Sequence, residues 1–78
     1  MKAVKVLYFA SLRELLGKSG DTLPLDVEQT ALTIWQTLNP NSSLPESCLI
    51  AINQEYAAAD SIVNAGDELA FFPPVTGG

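Results

Sequence analysis

From Val4 to Phe9 the chain sets Val4, Val6 and Tyr8 against Lys5, Leu7 and Phe9, and this period of two in a β-branched and aromatic run predicts an opening strand. Ser11-Leu12-Arg13-Glu14 fits a capping box, Ser11 capping and Glu14 reaching back, so a short helix is expected to end near Gly17. Gly20-Asp21 reads as a turn, and Thr22-Leu23-Pro24-Leu25 as a second short strand that Pro24 confines to a sheet edge. Val27, Ala31, Ile34, Trp35 and Leu38 recur at helical spacing as one apolar stripe. That longer helix starts either at Asp26, with Gln29 as its capping partner, or at Thr30, and Asn39-Pro40 stops it. A polar loop from Pro40 to Ser47 leads to a third strand, Cys48 to Asn53, then a turn at Asn53-Gln54-Glu55 and a short return strand at Tyr56-Ala57-Ala58. Asp60 to Val63 is read as one helical turn, Asn64-Ala65-Gly66-Asp67 as a turn, and Glu68 to Phe72 as the final strand, ended by Pro73-Pro74.

For so short a chain this order is satisfied most economically by an α+β fold of the β-grasp, or ubiquitin-like, type. A mixed sheet of four to five strands would carry one main helix on one face and a short helix after the first strand. Residues 1–72 would form the domain and residues 73–78 a flexible tail. In this arrangement the first and last strands lie side by side and parallel, bringing Phe9 near Phe72. If Val4, Val6, Tyr8, Leu69 and Phe71 face the helix, alternation sends Leu7, Phe9, Ala70 and Phe72 to the other face, where no long helix remains to cover them. A cluster of uncovered apolar residues marks a binding surface, which Tyr56 on a neighbouring strand would extend.

Composition narrows the chemistry. Seventy-eight residues allow one domain, burying only about 60% of the unfolded chain's surface. Hydrophobic residues at 47% and charged ones at 17% suit a folded chain rather than a disordered one. The sequence has no histidine, which removes the commonest general base and every histidine-ligated metal site. Cys48 is the sole cysteine, so an internal disulfide and a thiolate cage are excluded, and a reducing compartment fits. It reads as a small buried hydrophobe, Trp35 as a contact between helix and core, and Asn53 and Asp67 as turn residues. A net charge of −5 disfavours nucleic acid, and no apolar run approaches a membrane span or a secretory signal. A cytoplasmic protein is expected.

Pro73-Pro74-Val75-Thr76-Gly77-Gly78 carries no helix or strand signal; extended, it would reach roughly 20 Å. Its glycine tip, lacking side chains, could enter a channel too narrow for other residues. The ending Phe71-Phe72-Pro73-Pro74-Val75-Thr76-Gly77-Gly78, with Val6-Leu7-Tyr8-Phe9-Ala10, Leu12-Arg13-Glu14-Leu15, Gly17, Ala51-Ile52-Asn53-Gln54 and Gly66-Asp67-Glu68, resembles the small, sulfur-carrying subunits of molybdopterin synthase.

The resemblance implies that a ubiquitin-activating-type enzyme adenylates the Gly78 carboxylate with ATP and that a sulfur donor displaces AMP, leaving a C-terminal thiocarboxylate, 1-thioglycine. It further implies that the large catalytic subunit receives Gly77 and Gly78 in its pocket, where sulfur passes to cyclic pyranopterin monophosphate. The chain would be no enzyme by itself and would bind no metal or cofactor. Phe9, Tyr56 and Phe72, with Pro73, Pro74, Val75 and Thr76, would contact the partner. Arg13 is either a further contact or an ordinary exposed helix residue. Two other readings remain open: a sulfur carrier for thiamine or thiolated tRNA, and a β-grasp interaction module with an inert tail.

Overall fold

The opening alternation forms a strand in the computed structural model, which describes residues 2–74. β1 (Ala3–Tyr8) buries Val4, Val6 and Tyr8 and turns Lys5 to solvent. It is followed by α1 (Ser11–Leu16), β2 (Gly20–Pro24), β3 (Gln29–Thr30), α2 (Ala31–Leu38), β4 (Leu49–Ile52), β5 (Glu55–Ala57), β6 (Ile62–Val63) and β7 (Glu68–Phe72). Five strands make one sheet in the order β2-β1-β7-β4-β5, while β3 and β6 pair as a separate ribbon. β1 and β7 run parallel, with Val6 opposite Leu69 and Tyr8 opposite Phe71. Their neighbours β2 and β4 are antiparallel to them. The fold is therefore the β-grasp that the element order predicts, with five strands and Pro24 on the edge strand β2.

The start of α2 is decided by pairing. Gln29 and Thr30 are held extended opposite Val63 and Ile62, so no helix can begin at Asp26. Thr30 is the N-cap, its hydroxyl accepting from the Thr33 N–H at 3.1 Å, an interaction worth about 1 kcal/mol. Val27 thus lies outside the helix and is exposed, while Ala31, Ile34 and Trp35 are fully buried and Leu38 packs partly buried against the core. Trp35 sits edge-on to Phe71 and Tyr8 at centroid separations of 5.0 and 5.9 Å. Its indole N–H donates to the Ser42 carbonyl at 2.7 Å, tying the polar loop to the core.

Three local readings are corrected. Ser11 does not cap α1: Ala10 occupies the N-cap, Ser11 is already helical, and the end has no side-chain hydrogen bond. Only the non-helical backbone of a cap residue aims its oxygen at the free N–H groups, and Ser11 lacks it. Gly17 does end the helix, in the left-handed conformation expected of a C-terminal glycine. Gly20 and Asp21 are strand residues, opposite Leu7 and Val6. Glycine is needed at position 20 for space, because a Cβ there would stand 2.6 Å from the Val6 carbonyl oxygen. Finally, Asp60 to Val63 is not a helical turn; Ile62 and Val63 are β6. The Ala59 and Ser61 carbonyls accept the Leu32 and Ala31 N–H groups at 2.9 and 3.1 Å, supplying partners that the first turn of α2 cannot find within itself.

Tyr8 joins the sheet to the far end of α2. Its hydroxyl donates to Asp21 at 3.1 Å and accepts from the buried Asn39 amide at 3.0 Å, while Lys18 pairs with Asp21 at 2.7 Å. Burial, with the adjacent Asp21 carboxylate, pushes the phenol up to about 12, the Asn39 hydrogen bond opposing. The folded chain therefore holds this proton more tightly than the unfolded chain, and the associated stability is intact below about pH 10 and lost as pH rises toward 12. At 1.36 kcal/mol per unit, the loss is about 3 kcal/mol. Urea unfolding midpoints should fall between about pH 9 and pH 12, and Tyr8→Phe should remove most of that fall. An equal decline in both proteins would contradict the assignment.

Candidate functional site

One row crosses the outer face of the sheet, away from α2: Leu7 is opposite Ala70, Ala70 opposite Ala51, and Ala51 opposite Tyr56. Ala70 and Ala51 form a buried floor of small side chains. Above it stand three rings from three parts of the chain. Phe9 and Phe72 meet edge to face at 6.4 Å, and Tyr56 tilts against Phe72 at 6.0 Å. Tyr56 is 77% exposed and Phe9 47%, with Phe72 half-buried between them. So much aromatic surface left in water is the uncovered apolar patch that strand alternation predicts.

Phe72 is also the last residue of β7, so the chain leaves the sheet from within the patch. Pro73 follows half-buried and Pro74 exposed. Val75, Thr76, Gly77 and Gly78 lie outside the described residues. Arg13 is exposed on α1 and takes no part in the ring contacts.

The backbone beside Phe9 is unusual, and the residue pattern gave no sign of it. Ala10 has φ 51° and ψ −125°, close to the first central position of a type II′ turn, which ordinarily requires glycine. The Leu12 N–H closes that turn on the Phe9 carbonyl at 3.1 Å. A residue with a Cβ in such a conformation costs on the order of 1–3 kcal/mol, and such strain concentrates at functional sites. Leu49, opposite Phe72, was also missed as part of the face. Leu49-Ile50-Ala51-Ile52 is apolar throughout, so alternation cannot say which side chains point outward.

The chemistry available to the described residues is limited. Cys48 is free and half-buried, its thiol 3.5 Å from the Leu49 carbonyl, and burial pushes its pKa up against a backbone hydrogen bond from Phe72. A protonated thiol is a poor nucleophile. Among the described residues no cluster of acidic or cysteine side chains could hold a metal ion, and no helix is long and apolar enough to cross a membrane. Asn53 and Asp67 join two turns, the Asn53 amide donating to the Asp67 carboxylate at 3.0 Å and accepting from the Glu68 N–H at 3.0 Å.

The arrangement is that of a ubiquitin-like domain with an uncovered aromatic face around the end of its last strand. Residues 6–78 match the ThiS family, and the chain belongs to that family. It is 42% identical to the molybdopterin synthase sulfur carrier subunit of Dictyostelium discoideum, the match covering 95% of this chain and 94% of that protein. It is 38% identical to the subunit of the same name from Escherichia coli K12, over 96% of this chain and 99% of that one. Among solved structures it is similar to SAMP1 from Haloferax volcanii, with a TM-score of 0.76 and 30% identity over 97% of this chain and 99% of the other.

Proposed function

We propose that this chain is the sulfur-carrying subunit of a molybdopterin synthase, with Gly78 as the residue that carries the sulfur. The reading is supported above all by the uncovered Phe9, Phe72 and Tyr56 rings at the point where β7 hands over to Pro73-Pro74. A docking face there anchors the chain immediately before the segment that must reach another protein's pocket.

A carboxylate resists substitution until it is activated. In this proposal a ubiquitin-activating-type enzyme uses ATP to convert the Gly78 carboxylate to an acyl adenylate, and a sulfur donor displaces AMP to leave the thiocarboxylate. The large catalytic subunit then binds the aromatic face and admits Gly77 and Gly78. The thiocarboxylate sulfur acts as nucleophile toward cyclic pyranopterin monophosphate. Two such deliveries build the dithiolene. Acid, base and phosphate-binding groups come from the partner, which agrees with a chain that has no histidine. The sulfurtransferase activity belongs to the complex, in the cytoplasm.

Intact mass spectrometry after incubation with the activating enzyme, ATP and a sulfur source tests the charging step, which predicts replacement of one oxygen by sulfur. Adding the large subunit and cyclic pyranopterin monophosphate then tests the acceptor: molybdopterin should form. Charging without product would move the chain to another sulfur-carrier pathway, and no charging would leave it an interaction module. For the face, Phe72→Asp should weaken binding of the large subunit by about 2 kcal/mol, roughly 30-fold. Because Phe72 is half-buried on the outer face, the domain should remain folded. An unchanged titration curve would remove Phe72 from the interface.

A further inference from the structure

The four cationic side chains, Lys2, Lys5, Arg13 and Lys18, fall within the first eighteen residues, and of the nine acidic residues only Glu14 lies among them. The fold keeps that separation in space. Lys5 is on β1, Arg13 on α1, and Lys18 just before β2, while β5 forms the far edge of the sheet with β7 and β4 between it and β1. Lys18 is already committed to Asp21 at 2.7 Å, the one ion pair among the described residues. On the β5 side Glu46, Glu55 and Asp60 are all exposed, and among the described residues none of them pairs with a cation.

Those carboxylates border a groove of about 440 Å³ between the start of α2 and β5. Its walls are apolar: Leu32 from α2, Leu44 and Pro45 from the preceding loop, Leu49 from β4, and Tyr56 and Ala59 from β5 and the residues after it. Glu46 is the only charged residue in the lining, and Glu55 and Asp60 adjoin Tyr56 and Ala59 in the chain. The Leu32 N–H donates to the Ala59 carbonyl at 2.9 Å, so the two walls are fixed to each other. Leu32 is 36% exposed and stands outside the core cluster. Two lining residues also belong to the aromatic face, since Tyr56 tilts against Phe72 and Leu49 lies opposite it. The apolar surface therefore runs without a break from the three rings, round the β5 edge, to α2.

We propose that this groove is a second part of the docking surface, taking an apolar side chain from a segment of the large subunit that also carries Lys or Arg. The inference rests on the docking role proposed for the aromatic face and extends it to the edge of the sheet. An apolar groove alone does not choose among partners. An unopposed acidic rim does, because it attracts a cationic segment and repels an acidic one. The two parts then act at different stages: the rim speeds encounter, and the groove slows departure.

Rates of association and dissociation between the full-length chain and the large subunit, measured by surface plasmon resonance, separate the two. Glu46→Lys combined with Glu55→Lys should slow association about 10-fold in about 0.05 M salt. The difference should close in about 1 M salt, where charges are screened beyond about 3 Å. Asp26→Lys combined with Glu28→Lys makes the same change in net charge at exposed positions between β2 and β3, and should slow association by no more than about 2-fold. Leu32→Gln, uncharged and helix-compatible, should leave association alone and speed dissociation about 3–10-fold. Every substituted side chain is exposed, so urea midpoints should stay where they were. If the Asp26 and Glu28 pair slows association as much as the Glu46 and Glu55 pair, net charge alone is at work and the rim is no site. If Leu32→Gln dissociates as the parent does while Phe72→Asp weakens binding, the groove is overturned and the aromatic face stands. If Phe72→Asp and every groove variant bind as the parent does, the docking reading fails and takes this inference with it.

Discussion

Removing Gly77 and Gly78 is expected to abolish sulfur transfer while leaving the unfolding curve where it was. The two residues together span about 7 Å when extended. In the proposed mechanism their loss withdraws the reacting carbonyl by that distance and presents Thr76, with its branched side chain, to a channel suited to bare backbone. Misplacement of a reacting group by about 1 Å can cost about 100-fold, so shortening by two residues should reduce thiocarboxylate formation by at least that factor. Among the described residues the buried core runs from Val4 to Phe71, and two glycines bring no side chain to add to it, so the urea midpoint should not move. Intact mass spectrometry and a urea titration on one preparation check both halves. Full charging of the shortened chain would end the carrier reading, because the proposal allows the sulfur no other attachment point.

The second large effect concerns the core. Trp35→Ala should destabilise the domain by about 3–5 kcal/mol, against a total stability on the order of 4–12 kcal/mol for a chain of this size. Trp35 is fully buried, stacks edge-on against both Phe71 and Tyr8, and holds the Ser42 carbonyl. Its truncation opens a cavity beneath two strands and leaves that carbonyl without its indole partner. The urea midpoint should fall by about a quarter or more, with little change in slope. Trp35→Phe fills most of the space and should cost about 1–2 kcal/mol, largely the lost hydrogen bond. Equal losses in the two variants would show that ring volume is not what matters.

How far the fold could be read from sequence depended on whether two signals agreed at each position. Val4, Val6 and Tyr8 alternate cleanly, and the final strand is bounded by Asp67 on one side and Pro73 on the other, so both central strands were legible. The parallel pairing expected of these two strands brings their ends together, and Phe9 does lie against Phe72. The readings that failed were those in which a residue type has two physical uses. Glycine at position 20 marks a close approach of chains rather than a turn. Serine at position 11 opens a helix without capping it. Ile62 and Val63 pair with a segment more than thirty residues earlier in the chain, a contact that no local pattern records. Of the candidate site, the three rings were legible through alternation, but the strain at Ala10 was not. Backbone dihedrals of that kind are imposed by what the chain must connect.

The parallel pairing of β1 with β7 has a further consequence for how the molecule comes into being. During synthesis, β2 and β1 can associate early, and β4 with β5 later, but the two hairpins have no common edge until β7 emerges to join them. Contacts spanning nearly the whole sequence close last and slowly. Phe9, Tyr56 and Phe72 come from different strands or their ends, so the face they share cannot exist on a nascent chain. Any protein that recognises this face reads, in the same act, that translation has passed β7.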